Sequence, residues 1–205
     1  MTHFVLVAGA RLGAWAWDEV VPHLRAAGHG AHPLTLSGLA EKQGVPAGQQ
    51  THVRDIVDEI EGKELRDVVL VGHSYAGTPM SRSTAGRSSP PGRTAVRHGG
   101  FWPVAPAAHY AGQGLTDEQI ARIVAGSTPH PGASLTEPAV MARPLGELPA
   151  TYIHCLLDDA ALGEDVALLL ATGTRWRLVE MDTGHWPMFS RPRELARILL
   201  DAAGE

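Results

Sequence analysis

The chain has 205 residues, of which 44% are apolar and 19% charged, which suits one domain with a full core and excludes wholesale disorder or a membrane-embedded class. A formal net charge of −5 without a basic cluster argues against nucleic-acid binding. Cys155 is the single cysteine, so an intrachain disulfide and a multi-cysteine metal site are excluded, and usage leans to the cytoplasm.

The apolar start at residues 4–7 lacks a basic leader and is too short for a signal core, so it is expected as the first strand. No run approaches membrane-spanning length. A helix at 18–27, a strand at 31–36, a helix at 53–63 and a strand at 68–71 follow, which is βαβαβ order and predicts a mostly parallel sheet flanked by helices. In the second helix Val53, Ile56, Val57 and Ile60 recur at three-to-four spacing, whereas Arg54, Asp55, Asp58, Glu59 and Glu61 are expected on the solvent face. Residues 81–100 are rich in Arg, Ser, Gly and Pro, and Gly86 and Pro90-Pro91 should stop any helix entering them. They are expected to be irregular and mobile, with at most a short strand at 94–96. Beyond Phe101-Trp102, residues 101–149 form a small cap or insert with one helix at 116–125 capped by Thr116. The alternation resumes with a strand at 151–156, a helix at 164–170, a strand at 175–181 and a last helix from about 191, with Ser190 as N-cap and Pro192 in its first turn. No repeat or linker divides the chain, so 1–205 is taken as one domain.

The stretch VVLVGHSYAG at 68–77 carries the chemistry. An apolar run breaks at Gly72 and leaves Ser74 between small residues ahead of a helix, the layout of a nucleophile elbow. A serine in so tight a turn needs neighbours nearly free of side chains, which Gly72 and Gly77 supply, although Ala76 stands where glycine is usual. A serine nucleophile also needs a base and a carboxylate to orient it. Asp158 or Asp159 follows one late strand and His185 the next, giving the chain order serine, acid, histidine at the carboxyl ends of parallel strands. Backbone N–H groups of Tyr75 and of Ala10 are the expected oxyanion donors. His73 is read as a packing residue, Trp15 and Trp17 as core, and Trp186 and Tyr75 as residues flanking the pocket. Neither His130 nor His154 has metal-ligand spacing with nearby acids, so no metal site is expected.

Five blocks, HFVLVAGARLGAWAWDEVVPHLRAAGH, LTLSGLAEK, VVLVGHSYAG, TPHPGASLTEPAVMARPLGELPATYIHCLLDD and MDTGHWPMFSRPRELARILL, occur in order over residues 3–79 and about 126–205. Together they resemble the α/β-hydrolase subgroup containing plant methyl-ester esterases, hydroxynitrile lyases and bacterial relatives. The resemblance implies an α/β-hydrolase-like fold with a reduced cap and a degraded segment after the elbow. It also implies a cofactor-free serine hydrolase of carboxylesterase type acting on small carboxylic esters. By this likeness Ser74 is the nucleophile, His185 the base, Ala10 and Tyr75 the oxyanion donors, and Gly9 and Trp186 pocket residues. Asp158 is preferred to Asp159 because the family acid sits three residues after the Cys155 position. The partner is then a small-molecule ester, with no nucleic acid or membrane, and a homodimer stays open. Ala8 stands where relatives have histidine, Arg11 and Leu12 where they have other bulky residues, and Ala76 where they have glycine. These departures motivate an alternative, a binding or catalytically reduced member. A non-hydrolytic lyase such as a hydroxynitrile lyase is disfavoured, because the lyases have threonine at Gly9 and lysine at Trp186.

Overall fold

The computed structural model describes residues 1–77, 100–137, 145–158, 162–172 and 175–204. The expectations for residues 81–99, including the strand at 94–96 and the stops at Gly86 and Pro90, lie outside the described residues, as does Asp159.

Strand β1 (His3–Val7) lies between β2 (Gly30–Leu34) and β3 (Val68–Gly72), parallel to both, with His3 opposite Gly30 on one side and Val68 on the other. Its alternating side chains feed two separate cores, as a strand's two-residue period requires. Phe4, Leu6 and Ala8 join Trp17, Leu24, Met181, Met188 and Leu195 on one face, whereas Val5 and Val7 join Leu34, Leu39, Leu65 and Leu135 on the other. Each fully buried Phe or Leu in these clusters contributes roughly 1.5–3 kcal/mol relative to exposure. Helices cover both faces. Helix α1 (Val21–Ala26) buries Val21 and Leu24 in the first cluster, and α2 (Gln49–Gly62) packs Ile56 and Ile60 on the second.

Helix α2 begins before its expected start, since Gln49 and His52 are its buried residues and open its first turn. Asp55 does not face solvent as expected. Its carboxylate accepts from the Ser37 backbone N–H at 2.7 Å and hydroxyl at 2.9 Å, while Val57, expected inside, is 41% exposed. A buried loop with orphan donors outweighed the helix periodicity at these positions.

Two-residue strands β4 (Phe101–Trp102) and β5 (His130–Pro131) pair antiparallel, and α3 (Asp117–Gly126) lies between them in sequence. Thr116 caps α3 as expected: its hydroxyl accepts from the Gln119 N–H at 3.2 Å, and Gln119 Oε1 accepts from the Thr116 N–H at 2.9 Å. Farther on, β6 (Ala150–Cys155) and β7 (Trp176–Met181) pair in parallel, with α4 (Glu164–Ala171) between them in sequence. A helical turn at Pro187–Ser190 leads into α5 (Pro192–Ala203), whose Leu195, Ile198 and Leu199 complete the first core cluster. Ser190 is not the cap of α5. Arg191 holds that position, and the Ser190 hydroxyl instead meets the Thr183 hydroxyl at 2.5 Å and the Trp186 carbonyl at 3.2 Å. No helix among the described residues is long and apolar enough to cross a membrane.

Candidate active site

Three carboxyl-terminal strand ends meet here. Ser74 follows β3 directly and opens a short 3-10 turn, Ser74–Gly77, with its backbone at φ 51°, a left-handed conformation that a serine rarely adopts. Such strain persists where the surroundings over-determine it. Gly72 is one reason the turn can close, because a Cβ there would lie 3.2–3.3 Å from the backbone of Ala76 and Gly77. Gly77 is not under the same pressure from the described residues, as a Cβ there would meet none of them within 4 Å. Ala76 fits without glycine, since its methyl is buried in the second core cluster.

The loops after β6 and β7 are stitched together by Leu156 N–H to Met181 O at 2.9 Å and Leu157 N–H to Thr183 O at 3.0 Å. That places the Asp158 carboxylate 2.6 Å from His185 Nδ1, while His185 Nε2 lies 2.9 Å from Ser74 Oγ. Ser74, Asp158 and His185 are therefore brought together from chain separations of 27 and 111 residues. Asp158 and His185 keep about a third of their side-chain surface exposed, at 32% and 33%, so the pair is open to a small ligand and to water.

Two residues to which the sequence assigns no part in the site hold this arrangement. Gln113 Oε1 accepts from the His185 backbone N–H at 2.7 Å, and Gly184 leaves room for the Gln113 backbone to pass. His73, read as packing only, forms a bridge. Its Nδ1 accepts from the Gly9 N–H at 3.2 Å, which leaves the proton on Nε2 to be donated to the His185 carbonyl at 2.7 Å. Burial, followed by the charge of His185, pushes the His73 imidazole down to about 3. It is neutral at pH 7, so it places no second positive charge beside His185. A histidine next to the serine was the one signal available, and strand alternation pointed the other way.

Ala10 follows in the same loop, and its N–H has no hydrogen-bond partner among the described residues. Leu12 N–H closes a turn onto Gly9 O at 3.3 Å, with Arg11 inside it at φ 72°. Arg11 occupies a position that ordinarily favours glycine, and it is held by its N–H, which donates to buried His130 Nδ1 at 3.2 Å. His130 Nε2 donates to the Ser134 hydroxyl at 3.0 Å, which itself donates to Pro131 O at 2.7 Å, so the tautomer is fixed.

A cavity of about 70 Å³ opens on Ser74, His185 and Ala10. His73, Arg11, Leu12, Trp102, His109, Tyr110 and Trp186 form the rest of its wall. Trp186 thus lies where a pocket residue was expected, packed against Tyr110 with ring centroids 4.6 Å apart. Gly9 is one residue outside the wall. A Cβ there would come within 2.7 Å of His73 Nδ1 and 3.0 Å of Ser74 Cβ. The Tyr75 ring also turns away from the cavity, into the second core cluster, with its hydroxyl 2.9 Å from His52 Nδ1. Only the Tyr75 backbone is left beside Ser74. Burial, then Arg11 and His185, lower the His109 imidazole from its ordinary value, with Asp158 acting the other way. Among the described residues no group of three or more His, Cys, Asp or Glu is arranged to hold a metal ion.

A family model described as an alpha/beta hydrolase family matches residues 4–198. The chain is 39% identical over 106 residues to a carbendazim hydrolyzing esterase of Nocardioides sp. (strain SG-4G), covering 50% of this chain and 43% of that protein. It therefore spans less than half the length of that relative. It is 25% identical over 238 aligned residues to probable hydrolase R7 of Phoma sp. (strain ATCC 20986 / MF5453), covering 98% of this chain and 97% of the other. Among solved structures, an extracellular alpha/beta-hydrolase from a Paenibacillus species superimposes with a TM-score of 0.77 at 19% identity, over 98% of each chain. At that identity the likeness is one of fold.

Proposed function

Because the chain belongs to the alpha/beta hydrolase family, we propose that it is a serine hydrolase of carboxylesterase type, with Ser74 as nucleophile, His185 as base and Asp158 as the acid that orients it. One observation carries this reading: Ser74 Oγ, His185 Nε2, His185 Nδ1 and Asp158 Oδ2 form an unbroken relay with contacts of 2.9 and 2.6 Å. In the reaction Ser74 Oγ attacks the ester carbonyl as its proton passes to His185 Nε2, and Asp158 stabilises the imidazolium. The Ala10 and Tyr75 backbone N–H groups receive the developing oxyanion. Collapse expels the alcohol, which takes the proton from His185, and water activated by the same imidazole releases the acid. No cofactor enters these steps.

A cavity of about 70 Å³ beside Ser74 and His185 accords with a small substrate. Esterase and hydrolase names among the relatives accord with this reading. Cyanohydrin cleavage fits less well, because the position after His185 is the indole Trp186, packed on Tyr110, and an indole offers no cation to steady cyanide. The reading includes a single domain over 1–205 with a small cap at about 101–149, a cytoplasmic location, and a small ester as partner, with a homodimer open to test by sedimentation. Hydrolysis of a short-chain aryl ester by the purified protein tests the chemistry. Ser74→Ala should lower kcat by about 10⁴-fold or more while the far-ultraviolet spectrum is unchanged. Equal rates in the two proteins would sink the proposal.

A further inference from the structure

We propose that Arg11 anchors a carboxylate on the substrate, so that the ester cleaved at Ser74 is a small half-ester, one acyl carbon esterified and a second left as a free carboxylate; this rests on the hydrolase reading of Ser74. The Arg11 side chain is only 8% exposed, yet among the described residues no carboxylate pairs with it and its Nε has no hydrogen-bond partner. A buried guanidinium is costly unless it is paired and hydrogen-bonded, so an unpaired one in a cavity wall is an unfilled half of a contact. The partners it does have position it without neutralising it. Its Cζ lies 3.8 Å over the Trp102 ring, and the nearby Tyr110 phenol acts to keep the guanidinium charged.

The placement is built rather than incidental. Arg11 sits at φ 72° and is held there by buried, tautomer-fixed His130, which itself rests on Ser134. Two non-glycine residues with positive φ, Arg11 and Ser74, therefore border the same cavity. Both residues line one cavity of about 70 Å³, so a carbonyl at Ser74 and an anion touching Arg11 can belong to one short molecule. A planar guanidinium matches a carboxylate in shape and charge, and the Trp102 ring lies against its face, 3.8 Å from Cζ. Hydrolysis then proceeds as described above: the ester C–O bond breaks, water supplies the hydroxyl, and the second carboxylate is untouched.

The test compares monomethyl malonate and monomethyl succinate with their dimethyl esters. The wild-type protein should prefer a half-ester by kcat/KM, and Arg11→Met should lower the ratio of half-ester to diester about 10- to 100-fold, the worth of a hydrogen bond to a charged group. Arg11→Lys, which keeps the charge without the fork, should fall between. A wild-type preference for both diesters, or an unchanged ratio in Arg11→Met, overturns the proposal. Calorimetric binding to Ser74→Ala separates this claim from the one beneath it. Half-ester binding that is tighter than diester binding and weakened in Ser74→Ala/Arg11→Lys supports the anion site even if Ser74 is not the nucleophile. Equal binding of the two esters refutes the site even if Ser74→Ala abolishes hydrolysis. Should Arg11→Met fail to fold, the Arg11→Lys ratio and the calorimetry decide alone.

Discussion

His73 Nδ1 accepts from Gly9 while its Nε2 donates to the carbonyl of His185, so one neutral ring ties the loop that carries Ala10 to the loop that carries His185. A Cβ at Gly9 would sit 2.7 Å from that ring and 3.0 Å from Ser74 Cβ. Gly9→Ala should therefore push the ring aside and lower kcat/KM for a short aryl ester by about 10- to 100-fold, the scale of a misplaced catalytic group, with little change in melting temperature. Steady-state kinetics beside a thermal scan would check both halves. Ser74, Asp158 and His185 could be read from the sequence because each follows a strand and their order has chemical meaning. His73 and Gln113 could not, because their roles lie in single hydrogen bonds across 112 and 72 residues that leave no local pattern. Asp158 was separable from Asp159 only by likeness to relatives. In the structure Asp158 stands 2.6 Å from His185 Nδ1.

At the scale of elements, short apolar runs located the strands, and capping chemistry located α3. Thr116→Ala removes the hydroxyl that accepts from Gln119 and should destabilise the protein by about 1 kcal/mol, measured by urea denaturation. The same logic misjudged Ser190, because its hydroxyl is engaged by Thr183 and Trp186, and such a partner is visible only once the chain has folded. Helix α2 shows the complementary limit. Its period identified Ile56 and Ile60 as inward, but Asp55 is drawn in by the two donors of Ser37, and Gln49 and His52 are buried ahead of the apolar repeat. Polar residues that serve a neighbouring loop do not follow a hydrophobic period. The pairing of β4 with β5 was equally invisible, since two residues per strand are too few to show alternation.

Across the whole molecule, β1 divides the interior into two apolar clusters, and the buried histidines beside the second make the fold sensitive to acid. His130 is 0% exposed and burial pushes it down to about 3, against about 6.5 in an unfolded chain. Between those values the unfolded chain binds a proton that the native one refuses, so stability is full above about pH 6.5 and falls as pH drops toward 3. From pH 7 to 5 this one residue should cost about 2 kcal/mol. His130→Asn, whose amide oxygen can still accept from Arg11, should remove that part of the slope, as judged by urea denaturation at the two pH values. The His73 bridge also bears on how the molecule assembles. Its two hydrogen bonds close chain separations of 64 and 112 residues, whereas the contacts within each βα unit are short in sequence. Loops of that length are entropically expensive to close before a sheet exists to hold their ends. The meeting of Ser74, His185 and Asp158 is therefore a late product of folding, and a chain caught halfway would hold much of its secondary structure before those three side chains come together.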